Sequence, residues 1–485
     1  MAEKSSFNEE ALRHLRLINV DEDEGTRKHL QEELTTAPLF SALVREVIEN
    51  EYQGDHIVNG KGRKLVYPQY GLLGLRMGST TSPDTPAVDE DDLVYANVSA
   101  PWSAFICGSQ GSGMSHTLSC MLENSLIESS PAGKLSSPLA GMVLHYDKFT
   151  AFSSTQLCEA AYLCSSNIPV RVLVSPSNYH AMKNAYENLP GLGKSNLLRV
   201  VPMYLPQKHL NISMMKTLMG INAGDDQPLY VEVVIKILRE MARTSQGQSH
   251  LDYNAFKRRL EKEDFLTRQN APLNMRLEVL ESFFEPGTVV GSGGKQKNPA
   301  KALSDDLWDF PKGSLTIVDL SCPFIGPDDT CTLFNICVSL FLKGRADAGQ
   351  IIALDEAHNF LNKTSSDAGE LTETLLSIVR QQRHLGARHI AGAATARANK
   401  EGETSLDLFG KIVRLGTGEA LVFCPTAMLD VTSGLDHIEE SSESNRGSSV
   451  ASTEHQTVTK LGSEHIRLRV RKRITADGGR SQLAE

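Results

Sequence analysis

The sequence predicts an α/β protein whose core is a mainly parallel sheet carrying a helical insertion, and three observations lead there. Ser103 to Glu128, SAFICGSQGSGMSHTLSCMLENSLIE, reads as a short apolar strand, a glycine-rich turn and an amphipathic helix. Apolar runs at 142–146, 170–174 and 198–203 alternate with helical sequence, as strands buried on both faces of a layered sheet do. A later run, Gln350 to Leu354, passes directly into Asp355-Glu356.

The chain divides into five stretches. Residues 1–95 begin with charged helical sequence, take on strand and turn character at Lys64–Met77, and end in the polar linker Gly78–Asp92. Residues 96–206 hold the glycine turn and the first apolar runs. Asp147 follows the run at 142–146 at the carboxyl edge, where ligands bind in such sheets and where a turn or cap residue would also stand. Residues 207–300 carry helical periodicity at Val231–Arg243, Tyr253–Phe265 and Met275–Phe284, with a loop at Pro286–Ala300. Within them Lys257-Arg258-Arg259 reads first as a solvated helix face and second as a phosphate contact. Residues 301–430 resume the core with the strand Gly313–Leu320, the helix Cys331–Leu342, the run into Asp355, the helix Leu371–Leu385 and the strand Ala387–Thr395. Leu408–Cys424 reads as a hairpin around Gly416–Gly418. Residues 431–485 contain the low-complexity stretch His437–His455 and a basic alternating strand, Glu464–Ile474, suited to a half-buried edge with a cationic face.

Composition excludes several classes. The 485 residues suffice for two or three domains, and 40% hydrophobic with 22% charged residues is a globular balance. Lys plus Arg is 49 against 59 for Asp plus Glu, a net charge of -10 that advertises no polyanion partner. The eight cysteines form no C-x-x-C pair and read as buried, reduced thiols of a cytoplasmic or nuclear protein. The N-terminus lacks an apolar leader core, and the longest apolar stretch, Cys331–Leu342, is too short for a bilayer, so neither secretion nor membrane insertion is expected.

The turn Gly108-Ser109-Gln110-Gly111-Ser112-Gly113-Met114-Ser115 fits G-x-x-x-x-G-K-[ST] at every fixed position except the lysine, which is Met114. Its glycines allow backbone N–H groups to approach phosphate oxygens, and the helix starting here aims its positive end at them. Gly108 to Ser115, with His116, are therefore the candidate nucleotide-binding residues, and Ser115 would offer its hydroxyl to Mg2+. Methionine has the reach of lysine without its charge. Losing one such group costs ~10²–10³ in turnover, so ATP binding can outlast hydrolysis. In the second half of the signature, Asp355 would orient the metal and Glu356 would act as the catalytic base toward water. The plainer alternatives are a tight strand-to-helix turn and a strand ending in solvated acids.

Taken together these residues resemble the FtsK and HerA class of P-loop ATPases, most closely its HerA-like branch. The likeness rests on Gly108–Ser115, GSLTIVDLS at 313–321, ALDEAH at 353–358, RQQRHLGAR at 380–388 and LGTGEALVF at 415–423, and covers about residues 96–430. It implies a RecA-like core, ATP and Mg2+ as cofactors, and a homo-hexameric ring driving DNA or protein through its pore. Ser115 and Asp355 would be metal ligands, Glu356 the base, and Arg380 and Arg383 candidate arginine fingers whose ordinary alternative is surface ion pairing. The chain departs from the family at Met114, at Ala396 after Thr395 where a sensing glutamine is usual, and in the short stretch Arg397–Arg414, which leaves room for one core strand fewer. An active DNA translocase would need another lysine in place of the lost one, and Lys148, just beyond the run at 142–146, is a candidate donor. The expectation is a degenerate member that binds ATP with weak or lost hydrolysis, or a pseudo-ATPase scaffold.

Overall fold

The computed structural model describes residues 31–51, 66–77, 89–109, 111–147, 156–206, 210, 212–219, 230–244, 251–263, 265, 267–285, 306–344, 349–361, 365–394, 410–434 and 455–477. Gln110, Lys148, Thr395, Ala396 and the predicted loops at 286–300 and 437–454 lie outside them. The described residues fall into two compact units, each built on a seven-stranded sheet.

One unit takes the residues up to Pro101 and those of Glu419–Val470. Its strands run in the order Glu419–Val422, Ile466–Val470, Tyr70–Arg76, Leu93–Asn97, Leu39–Ser41, Met428–Gly434 and His455–Lys460. All neighbours are antiparallel except Leu39–Ser41 and Met428–Gly434. Phe40, stacked on Tyr67 at 3.8 Å between ring centroids, anchors its core. Ile466–Val470 has the predicted alternation, with Ile466, Leu468 and Val470 buried and Arg467 and Arg469 exposed. It is not an edge strand, however. Glu419 on the adjacent strand accepts from both arginines, at 2.6 and 3.1 Å, and this charge match lets a further strand cover the cationic edge. The predicted hairpin at Leu408–Cys424 is likewise replaced, by a helical turn at 410–413 and the strand Glu419–Val422 paired far along the chain.

The other unit takes Trp102–Gly418 and the residues from Arg471 on. Its strands are β1 Ser103–Gly108, β2 Ala140–His145, β3 Val170–Val174, β4 Leu198–Pro202, β5 Leu315–Asp319, β6 Gln350–Leu354 and β7 Ala387–Ala394, all parallel, in the order β1-β7-β6-β2-β5-β3-β4. β2, β5 and β6 are buried along their whole length, which is why they read as continuous apolar runs. The helices are α1 Met114–Leu126, α2 Tyr179–Glu187, α3 Ile212–Leu218, α4 Tyr230–Thr244, α5 Tyr253–Leu260, α6 Thr267–Ser282, α7 Pro327–Lys343 and α8 Ser366–Leu385. The predicted helical insertion corresponds to α3–α6. It shares one core with the sheet through residues such as Met214, Leu238, Phe256 and Leu277, each contributing ~1.5–3 kcal/mol on burial. None of the helices among the described residues is long and apolar enough to cross a membrane.

A parallel sheet puts every carboxyl end on one edge, so the glycine turn after β1, Asp147 after β2, Asp319 at the end of β5 and Asp355 after β6 gather there. Among the described residues β1 pairs only with β7 and closes the sheet at that side. One face of β1 is uncovered, so Cys107 is exposed rather than buried as its apolar context predicts, and Phe105 is 66% exposed.

Candidate functional site

The glycine turn depends on glycine where its backbone is left-handed or crowded. Gly111 and Gly113 have φ of 79° and 102°, left-handed values that cost an L-residue about 1–2 kcal/mol. A Cβ on Gly108 would stand 2.4 Å from the Ser112 hydroxyl, and Ser112 N–H closes the turn onto Ser109 O at 3.1 Å. Gly113 then caps α1, whose next residues are Met114 and Ser115.

Across from α1, β6 ends in Asp355 and Glu356. Glu356 is left-handed, at φ 51° and ψ 40°, an unusual conformation for a carboxylic side chain. Burial, reinforced by Asp355, raises its carboxyl above the usual range, and its Oε2 lies 3.2 Å from His358 Nδ1. Met114, Ser115, Leu118, Asp355, Glu356 and Gly392 line one small pocket. Residues from both predicted motifs thus meet, although Ser115 and Asp355 stand at opposite ends of the core sequence.

Asp355 has protein partners of its own. Its Oδ2 accepts from His145 Nδ1 at 3.0 Å, while His145 Nε2 donates to Gln156 O at 3.1 Å. Both ring nitrogens face acceptors, so both carry protons and His145 is an imidazolium. Burial opposes that charge, but Asp319 and Asp355 outweigh it and push His145 up to about 10. Cys158 adjoins the pair, and burial pushes its thiol well up, leaving a neutral S–H. Asp147 accepts from Gln156 N–H at 3.4 Å and its own N–H donates to Ser321 Oγ at 2.8 Å. Asp319 accepts from Tyr186 OH at 2.5 Å and from Ser321 N–H at 3.0 Å. The edge between β2, β5 and β6 is therefore a filled polar network, in which Asp147 and Asp319 hold backbone and do not line the pocket.

Of the remaining predicted residues, His116 places Nε2 2.9 Å from Arg471 O, and since a carbonyl only accepts, that nitrogen carries the proton and donates. Arg380 and Arg383 are exposed on α8 and are not among the pocket's lining residues. Lys257–Arg259 lie on α5, where Lys257 pairs with Glu281 at 2.7 Å, the ordinary role of such a run. For a cofactor, the Ser115 hydroxyl and the remaining Asp355 oxygen are the hard donors Mg2+ takes, and the loop amides with the α1 terminus suit a phosphate. Sequence reasoning missed His145, Gln156 and Cys158. A histidine within the apolar run of β2 was the one local signal available for the first of these.

No protein-family model matches the chain, and no curated protein matches it. Among solved structures it is similar to VirB4 of Thermoanaerobacter pseudethanolicus, at 10% sequence identity and a TM-score of 0.40, covering 86% of this chain and 98% of that one.

Proposed function

We propose that this chain is a HerA-like P-loop nucleotide-binding protein with a RecA-like core, which takes ATP with Mg2+ at Gly108–Ser115 and Asp355 and hydrolyses it weakly or not at all. The observation that carries the reading is the pocket lined jointly by Met114 and Ser115 from the glycine loop and by Asp355 and Glu356 from the end of β6. In it the loop amides would hold the phosphates, Ser115 and Asp355 the metal, and Glu356, with its raised carboxyl, the proton of the attacking water. Met114 supplies no charge to the developing oxyanion, which is why binding is expected to exceed turnover. With this reading come a homo-hexameric ring with Arg380 or Arg383 facing a neighbour's phosphate, and DNA or protein as the moved polymer.

The test is magnesium-dependent binding of a fluorescent ATP analogue to the native chain and to Met114→Lys, with phosphate release followed in both. Native binding, together with turnover raised by about 10²-fold or more in the lysine variant, is the expected outcome. The His145 clamp on Asp355 favours a second reading, a scaffold subunit that takes no nucleotide. Absence of binding in both proteins would select it.

A further inference from the structure

Helix α1 is buried around its whole circumference from Leu118 to Leu126, although it carries Glu123 and Asn124. Its apolar side lies on the sheet. Its polar side is covered by residues 471–477, the segment that follows the strand Ile466–Val470. Glu123 is 1% exposed and accepts from Arg471 Nη1 at 2.7 Å, Ile474 N–H at 3.1 Å, Thr475 N–H at 2.9 Å and the Thr475 hydroxyl at 2.5 Å. Burial raises its carboxyl, but these donors win and hold it below the usual range, so it is ionised. Arg471 also donates to Cys120 O at 3.1 Å and Asn124 Oδ1 at 2.9 Å, and its carbonyl takes the His116 imidazole at 2.9 Å. Ala476 N–H donates to Ser165 Oγ at 2.9 Å and ties down the far end.

We propose that residues 471–477 form a strap that sets the position of α1, with Glu123 and Thr475 as positioning residues for the glycine loop. Apolar packing against a sheet is non-directional and opposes slipping along the helix axis or turning about it less sharply than directional bonds do. Directional bonds at His116, in the first turn, and at Glu123 and Asn124, two turns later, restrict both motions. Only a helix so fixed holds the amides of Gly113 to Ser115 at the separation a polyphosphate requires. The geometry stands without a ligand; the polyphosphate rests on the function proposed above.

The experiment uses the full chain and two measurements: hydrogen exchange by mass spectrometry across 109–118, and titration with methylanthraniloyl-ATP in Mg2+. Glu123→Gln turns an acceptor into a donor facing two N–H groups and risks the fold, so the informative variant is Thr475→Val, which keeps shape and loses one hydroxyl. Exchange across 111–118 is expected to rise about tenfold while β5 and β6 stay protected, probe affinity to fall several-fold, and Thr475→Ser to restore both. Unchanged exchange in the loop, or a rise spread evenly over the sheet, would overturn the strap. If exchange responds as expected but the native chain takes no probe, the strap stands and the nucleotide reading falls.

Discussion

At Asp355 one carboxylate oxygen already faces a cation before any ligand arrives. The imidazolium of His145 is held in place from its other side by Gln156 O, and both members of the ion pair are buried. A metal ion at the same carboxylate would feel that positive charge, which disfavours it. His145→Asn removes the charge while keeping a short polar side chain. The magnesium concentration for half-maximal binding of the ATP analogue should then fall by about tenfold, and the variant should lose ~3–5 kcal/mol of stability as the buried pair is broken. An unchanged magnesium midpoint in the folded variant would show that His145 and the metal do not compete. Beyond a histidine within the apolar run of β2, nothing local announces this pair, because its members are 210 residues apart. The glycine turn, by contrast, is legible from eight consecutive residues, since positive φ at Gly111 and Gly113 is a local demand.

β1 shows what a strand loses at the end of a sheet. Its burial alternates, with Ser103, Phe105 and Cys107 outward, whereas β2, β5 and β6 are covered on both faces. Cys107 should accordingly react with a maleimide before Cys120, Cys158, Cys164, Cys322, Cys331 and Cys337, all buried. Mass spectrometry of briefly labelled native protein checks this, and labelling of any buried cysteine ahead of Cys107 would contradict the exposed face of β1. Each strand of this core is readable from its apolar run, and each long helix from its period. Their order is not, because pairing joins residues such as Ile106 and Gly392 that no local pattern connects. The same limit hides the strap: Arg471 meets Glu123 across 348 residues, so an alternating basic strand can be recognised but not the buried carboxylate awaiting Arg471.

Stability of the unit that carries the parallel sheet should depend on acid through one histidine on β7. His389 is 8% exposed, its Nε2 has no hydrogen-bond partner among the described residues, and burial lowers it to about 4. Folded protein therefore keeps His389 neutral down to about pH 4, while the unfolded chain takes up a proton near pH 6.5. Stability must fall as pH drops through that window, and the full effect is roughly 3 kcal/mol, with about 2 kcal/mol of it between pH 6.5 and 5. His145 works in the other direction and mostly elsewhere: its folded value of about 10 stands above the unfolded one, so its contribution is complete at low pH and is lost as pH rises from about 6.5 to 10. Glu123, held low when folded, acts only below the ordinary glutamate range. Falling pH also trims the net charge of -10 and so eases self-repulsion, a change of opposite sign. The two tryptophans, Trp102 and Trp308, both lie in this unit and are both buried, and Trp102 O accepts from His389 N–H at 3.1 Å. Urea unfolding followed by tryptophan fluorescence at pH 6.5 and 5 thus reports on the unit that holds the histidine, in a window where His145 adds little. The native chain should lose about 2 kcal/mol more between the two conditions than His389→Leu does. An equal loss in the variant would place the acid sensitivity in other groups and make His389 a silent member of the core.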